Sequence, residues 1–326
     1  MERLMKLGHR LAILLAAAAA AFAQTAEVLS TPRLGFTVTG DGTEIRALLG
    51  VPGAGRVSDP LVLPEGVTRV YLAPGHDYAL GYGEESGRWN ILSLRDDSLF
   101  SLHPVDGLSG EAGAVVFAPG AEAVAVTDAT NSTVHVLTVS NHSAQAAWSA
   151  AIEAASRLAL NRSGDLLLAA GASGVTLYRR GSDGVQVAAT QDVAGIAFQY
   201  AADTAVIADA AQRVLLVLED LSAEPVSHTL VSAGIGAPEA VAWSRDGRLV
   251  WCADGDANSI ARVNVASGAV DRIATDVAVT QFDVLPGTDH FLISSPRAGE
   301  AAWLFLAGPE RVSTYFVPGN PQGARQ

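Results

Sequence analysis

The chain has 326 residues, 49% of them apolar, and a formal net charge of −13. That is ample for one large core or two smaller ones, while an acidic surface is poorly suited to nucleic acid or anionic membranes, whose binding needs clustered cations. Cys252 is the one cysteine and Lys6 the one lysine, which excludes an intramolecular disulfide, a cysteine metal cluster and, beyond the amino terminus, a catalytic lysine.

Residues 1–23 have the three-part layout of a secretory signal. Arg3, Lys6 and Arg10 form a positive start, Leu11–Phe22 an apolar run, and Ala21-Phe22-Ala23 a small–x–small site before Gln24. The run is 12 residues long, short of the roughly 18 a spanning helix needs. No cysteine follows it and no second long apolar segment appears. The expectation is cleavage near Ala23–Gln24 and a mature chain without a membrane span, exported to a periplasm or beyond. Its net charge would be −15 by the same counting.

Next, LGFTVT (34–39) and EIRALLGV (44–51) read as a third and a fourth strand, and GVPGAGRVSDPLVLPEG as a linker. From Arg69 onward a unit repeats six times. Its first strands are RVYLAPG (from Arg69), AVVFAPG (Ala114), RLALNRSG (Arg157), GIAFQY (Gly195), AVAWSRDG (Ala240) and QFDVLPG (Gln281), spaced 38 to 45 residues apart, in the range of propeller blades. Three further strands follow in each copy. Residues 239–275 are the best-formed copy: EAVAWS, RLVWCAD, SIARVNV and AVDRIAT, joined by Gly/Asp/Asn turns that signal an antiparallel meander. Such a unit cannot bury both faces alone and therefore comes in arrays. AQAAWSAAIEAASRLAL (144–160) has helix-forming composition, but the repeat makes it a fourth strand, a connector and a first strand, with room for a short helical turn near 150–155.

The columns support the alignment. Val70, Val115, Leu158, Ile196, Val241 and Phe282 share one position, and Leu72, Phe117, Leu160, Phe198, Trp243 and Val284 the position two residues later. The column between them (Tyr71, Val116, Ala159, Ala197, Ala242, Asp283) is mostly small, which suits large-against-small packing between blades.

VAWSRDGRLVWCADGDANSIARVNVASG and FAPGAEAVAVTDATNSTVHVLTVS resemble the units of bacterial YVTN-type, WD-repeat-like β-propellers. The likeness covers about Val67–Pro318, although the YVTN tetrapeptide and the Trp-Asp dipeptide are missing. It implies an all-β propeller of six full four-stranded blades plus a partial amino-terminal blade. A seven-position ring is expected, with a six-bladed ring carrying the amino-terminal hairpin outside as the alternative. The domain would span 24–318, with 319–326 a polar tail.

Candidate site residues fall into two groups. Arg69, Arg157, Glu239, Gln281 and Asp283 lie at or near first-strand starts, by the mouth of a central channel. There a guanidinium fork suits a carboxylate or phosphate, or the residues form rim salt bridges. Glu84, Asp128, Asp209 and Asp254 end second strands, either as an acidic ring for a cation or basic partner or as caps of their own turns. Asp254-Gly-Asp256-Ala-Asn258 has oxygen donors at alternate positions, but Ser259 and Val265 stand where a calcium loop needs Gly and Glu, so a hairpin turn is expected. Cys252 reads as a small buried hydrophobe. The histidines have no metal-ligand spacing, and no phosphate-loop, dinucleotide or nucleophile-elbow motif occurs. Neither metal nor cofactor is expected. These observations favour an exported, non-catalytic module that binds a protein, peptide, ligand or surface polymer. The alternatives are a lactonase- or hydrolase-type enzyme, in which Arg69, Arg157, Glu239 and Asp283 converge, and a cell-surface structural protein.

Overall fold

A computed structural model describes residues 32–319, apart from 96–97, 129–130, 153–154, 232–233, 288, 295–299 and 309–311. The chain divides into Met1–Pro32 and Arg33–Gln326, and the second unit is described below. The proposed signal segment lies outside the described residues, as does the tail beyond Gly319.

Seven antiparallel sheets follow one another along the chain. Blade 1 holds β1 (Arg33–Val38), β2 (Ile45–Val51) and β3 (Ala54–Pro60); blade 2 holds β4 (Arg69–Leu72), β5 (Tyr78–Gly83), β6 (Arg88–Arg95) and β7 (Ser98–Ser109). Blade 3 comprises β8 (Ala112–Phe117), β9 (Ala123–Asp128), β10 (Thr133–Ser140) and β11 (Ser143–Ala151), and blade 4 β12 (Arg157–Leu160), β13 (Leu166–Gly171), β14 (Gly174–Arg179) and β15 (Val185–Ala188). Blade 5 is β16 (Val193–Phe198), β17 (Ala205–Asp209), β18 (Val214–Glu219) and β19 (Val226–Val231). Blade 6 is β20 (Pro238–Trp243), β21 (Leu249–Asp254), β22 (Ser259–Asn264) and β23 (Val270–Ala274), and blade 7 β24 (Asp283–Val284), β25 (His290–Leu292), β26 (Ala302–Ala307) and β27 (Val312–Val317). Strand order in blades 2–7 is sequential from inside to outside. All six predicted copies are present, and the chain is a seven-bladed β-propeller.

Local chemistry sets the turns. After β20, the Ser244 N–H···O=C bond to Leu249 is joined by Leu249 N–H donating to Ser244 Oγ at 2.9 Å. Asp246 accepts from the Ser244 hydroxyl at 2.7 Å and from Arg248 N–H at 3.0 Å, and Gly247 takes φ +71°, a conformation that favours glycine. The 144–160 stretch is strand through Ala151, and its described residues show no helical turn. The 254–258 acidic stretch is a single 3₁₀ turn closed by Asn258 in the left-handed region.

The core is seven separate apolar clusters, each filling one gap between neighbouring blades. Trp89, Ile91, Val124 and Leu137 join blades 2 and 3; Val136 and Leu167 join 3 and 4. Leu168 and Ile207 join 4 and 5, Val206 and Cys252 join 5 and 6, and Trp251 and Phe305 join 6 and 7. The amino-terminal sheet has a cluster on each side: Phe36 and Ile45 with Leu92 of blade 2, and Leu48 and Val57 with Leu304 of blade 7. Blade 1 is therefore a full member of the ring, and the six-bladed alternative with an external hairpin is overturned.

The register expected for blade 1 is also corrected. β1 is the innermost strand, not the third, and β3 is a strand where a linker was expected. Pro52-Gly53 makes a two-residue turn that pairs Val51 with Ala54, so the Pro/Gly content marks a hairpin rather than a linker. The six other innermost strands run the same way: Arg69, starting β4, pairs with Glu111 just before β8, and Arg157, starting β12, reaches Ala194 at the start of β16. β1 runs against them. Its amino-terminal part meets His76, which follows β4, and Gly42, which follows β1, accepts from Val70 N–H at 2.8 Å. Among the described residues blade 1 thus has no first-type strand, and a second-type strand occupies the innermost position.

His76 fastens this reversed strand. Its ring accepts from Phe36 N–H at 2.7 Å through Nδ1 and bonds the Val284 main chain of blade 7. A Cβ on Gly35 (φ +151°) would come within 2.6 Å of the His76 ring, so only glycine lets the two approach. Burial, with the Arg33 charge adding, lowers the His76 pKa to about 3, and the ring is neutral. On the outer side, Val57 N–H donates to Pro318 O at 3.0 Å.

Two tests follow from the closure. Leu48→Ala, at a site with 0% exposure, should lower unfolding free energy by about 3 kcal/mol in urea denaturation. Because the folded His76 pKa lies below the usual 6.5, its contribution is present above pH 6.5 and is lost as pH falls towards 3, by on the order of 4 kcal/mol. His76→Asn keeps an acceptor for Phe36 N–H and tolerates the positive φ of 61° at this position. It should flatten that part of the acid limb in urea midpoints measured against pH.

Candidate functional site

All seven innermost strands line a central cavity of about 660 Å³. Its lining reaches from residues 39–42 and Arg69, on the basal face where the six parallel strands begin, to Tyr200, Arg245 and Asp289 on the apical face, so it runs the length of the ring axis. Its walls are mostly apolar, among them Leu72, Phe117, Ile196, Val241 and Phe282. Val284, exposed to 38%, faces this lumen.

The alternating columns explain one exception. Val115, Phe117 and their equivalents other than Val284 pack towards the preceding blade, whereas Tyr71, Val116, Ala159, Ala197 and Ala242 pack towards the following one. Asp283 occupies the second kind of position in blade 7 and so faces the seam with blade 1. There β1 offers Thr37, which pairs with Arg46 of β2 on the same face as Leu48. Thr37 is 2% exposed, and its hydroxyl has no partner among the described residues. Asp283 opens to the lumen and accepts from Gln281 Nε2 at 2.6 Å. Enclosure within the channel raises its pKa to about 6. Arg46, buried nearby on β2, is committed to Glu44 at 2.7 Å.

The other first-strand candidates are spread round the basal rim. Arg69 pairs with Glu84 at 3.0 Å and Glu111 at 2.9 Å, Arg157 donates to the carbonyls of Ala194 and Ser156, and Glu239 lies over Gly255. Arg69 and Asp283 line the channel; Arg157, Glu239 and Gln281 are not in its lining. Arg69, Arg157, Glu239 and Asp283 stand on blades 2, 4, 6 and 7 and are not gathered at one point.

The acidic group is held locally. Asp128 accepts from Asn131 N–H and Nδ2 at 3.1 and 2.6 Å, and Asp209 from Gln212 N–H at 2.9 Å. Asp254 reaches further, to Gly236 and Ala237 N–H at 2.9 Å each and Arg272 at 2.9 Å. Burial opposes ionisation of Asp254, but these donors outweigh it and hold the pKa below the usual carboxylate value. Among the described residues, no group of three or more His, Cys, Asp or Glu is placed to hold a metal ion. The Cys252 thiol is pushed up to about 12, by burial and then by the Asp254 charge, as suits a packing residue.

The apical mouth went unnoticed in the sequence. Arg162 and Arg245, from blades 4 and 6, stack on Tyr200 of blade 5 at 4.6 and 4.4 Å from the ring centroid. Arg245 N–H donates to Asp289 at 2.6 Å. These residues sit in first-to-second-strand turns, whose varied sequences (APGHD, NRSGD, QYAAD, SRDGR) were the available signal. At the basal mouth, hydrogen bonds from Thr39 and Thr43 hold Asp41 at about 2.

No family model matches the sequence, and no curated protein matches it. The fold is similar to Kuenenia stuttgartiensis hydrazine synthase, with TM-score 0.50 and 9% identity over 89% of this chain and 97% of that one. It is also similar to Kluyveromyces lactis Hsv2, with TM-score 0.52 and 11% identity over 74% of this chain and 75% of that one. At such identities the likeness is one of fold alone, a β-propeller. Among the described residues no helix is long and apolar enough to cross a membrane.

Asp283 gives a direct test. An acid with a raised folded pKa costs stability once the unfolded form ionises, so the cost grows between about pH 4 and 6 and stays above that. Asp283→Asn should therefore stabilise the fold at pH 7.5 by about 1 kcal/mol, since lumen water screens much of the shift, and leave it unchanged at pH 3.5 in thermal melts.

Proposed function

We propose that the chain is an exported β-propeller of the YVTN-type, WD-repeat-like kind that works as a binding module, with the central channel as its site. The observation that carries this reading is the cavity of about 660 Å³. Its volume lies within the usual range for small-molecule sites, and apolar walls with a few fixed polar groups are their usual lining. Export rests on the layout of residues 1–23, and the family on the repeat grammar. A peptide terminus or the end group of a surface polymer could enter from either mouth.

A hydrolase is the second reading, and one observation favours it: a carboxyl group with a pKa near 6 in a concave site is a plausible general acid or base. Turnover of ester and lactone substrates that is abolished in Asp283→Asn would support it.

Val284→Trp fills the lumen from a lumen-facing position. It should lower affinity for channel ligands found by thermal-shift screening at least about tenfold, with the melting temperature of the free protein little changed. Binding that survives this variant but disappears after substitutions on one outer face would move the site to that face.

A further inference from the structure

We propose that the channel selects ligands carrying a protonated amine on an apolar body, with the ammonium seated in the seam between blades 7 and 1 against Asp283 and the Thr37 hydroxyl. The inference deepens the channel reading and rests on it. Three independent features converge on that chemistry.

First, Asp283 replaces the small or apolar residue of five equivalent positions and opens to the lumen, and its bonding partner is the neutral Gln281 amide. Asp283 is exposed to the lumen rather than to open solvent. A carboxylate in such a confined space, with no counter-charge beside it among the described residues, keeps part of a desolvation cost that a cation removes. Second, Thr37 lines the same cavity from the opposing strand, buried and with its hydroxyl unpartnered among the described residues. An ammonium has three N–H donors, more than one carboxylate oxygen uses, so a second acceptor at the seam has a purpose for this group that it lacks for a neutral apolar guest. Third, Phe282 and Phe291 also line the cavity, from the side of blade 7 that packs on blade 6, with ring centroids 5.6 Å apart in an edge-to-face pair. They give the apolar body of the ligand an aromatic wall beside the seam that holds its charged end. The positive charge of Arg46, which pairs with Thr37 across β1 and β2, is already matched by Glu44, so it does not supply a counter-charge to Asp283.

The test is isothermal titration of the full chain at pH 7.5 with three matched probes: phenethylamine, phenethyl alcohol and phenylacetate. The amine should bind about tenfold more tightly than the alcohol, as one charge-assisted contact allows, and phenylacetate most weakly. Asp283→Asn should bring the amine to the level of the alcohol and leave the alcohol unchanged. Asp283→Glu should keep the preference, and Thr37→Val should reduce it about threefold; circular dichroism melts check that each variant is folded. Equal binding of amine and alcohol, or a preference that persists in folded Asp283→Asn, overturns the ammonium inference while leaving the channel reading intact. If none of the probes binds, or binding is indifferent to Val284→Trp, the channel reading falls and this inference with it.

Discussion

Face-to-face packing of neighbouring blades is the interaction on which the whole structure depends. Each sheet is apolar on both sides, so no blade is stable until both faces are covered. The seven clusters between blades account for nearly all the large buried side chains. At about 25 cal/mol per Å² of buried apolar surface, leaving one face open would cost far more than any single hydrogen bond in the ring supplies. The ring must close, and the sequence must find a partner for the free faces of blades 2 and 7.

The solution is a sheet that, among the described residues, has three strands and no first-type strand. Moving β1 to the innermost position preserves both apolar faces, through Phe36, Ile45 and Leu49 on one side and Leu48 and Val57 on the other. It also reverses the strand bordering the channel, so the repeating edge-to-edge relations of the other six blades cannot be used there. His76 supplies the substitute. Its left-handed backbone and neutral ring let one side chain serve both the blade 1 main chain and blade 7. The seam is stitched by a side chain because the regular main-chain geometry is interrupted.

Much of this was legible in the sequence because it rests on period and column. The six copies, their strand limits and the large–small alternation all follow from apolar packing that every blade must repeat. Blade 1 was misread because it has no sister copy in the same register, and because Pro52-Gly53 carries equal weight as a turn and as a linker. Among candidate site residues, Asp283 was visible as the charged member of a column of Tyr, Val and Ala. Its isolation was not, since that depends on what the reversed strand places opposite. Tyr200 and Arg245 were missed because they lie in turns that vary from copy to copy and come together only through ring closure.

The acidic residues separate by what they do for the fold. Asp128, Asp209 and Asp254 recur at the same strand end, and each accepts from main-chain N–H of the turn or connection it holds, although Asp209 Oδ2 is buried without a partner among the described residues. Asp283 stands outside that pattern. It caps no turn, stands at a position filled by small or apolar residues in five other blades, and holds a pKa that marks an energetic cost rather than a gain. Thr37 across the same seam is another departure from the apolar rule, and its hydroxyl finds no partner among the described residues, forgoing a hydrogen bond worth about 1 kcal/mol. Two adjoining departures at the one irregular joint of the ring are hard to attribute to folding, because valine or alanine at either position would serve closure better. Local rules broken without a structural return are the usual mark of a binding site, and here both breaks border the same channel.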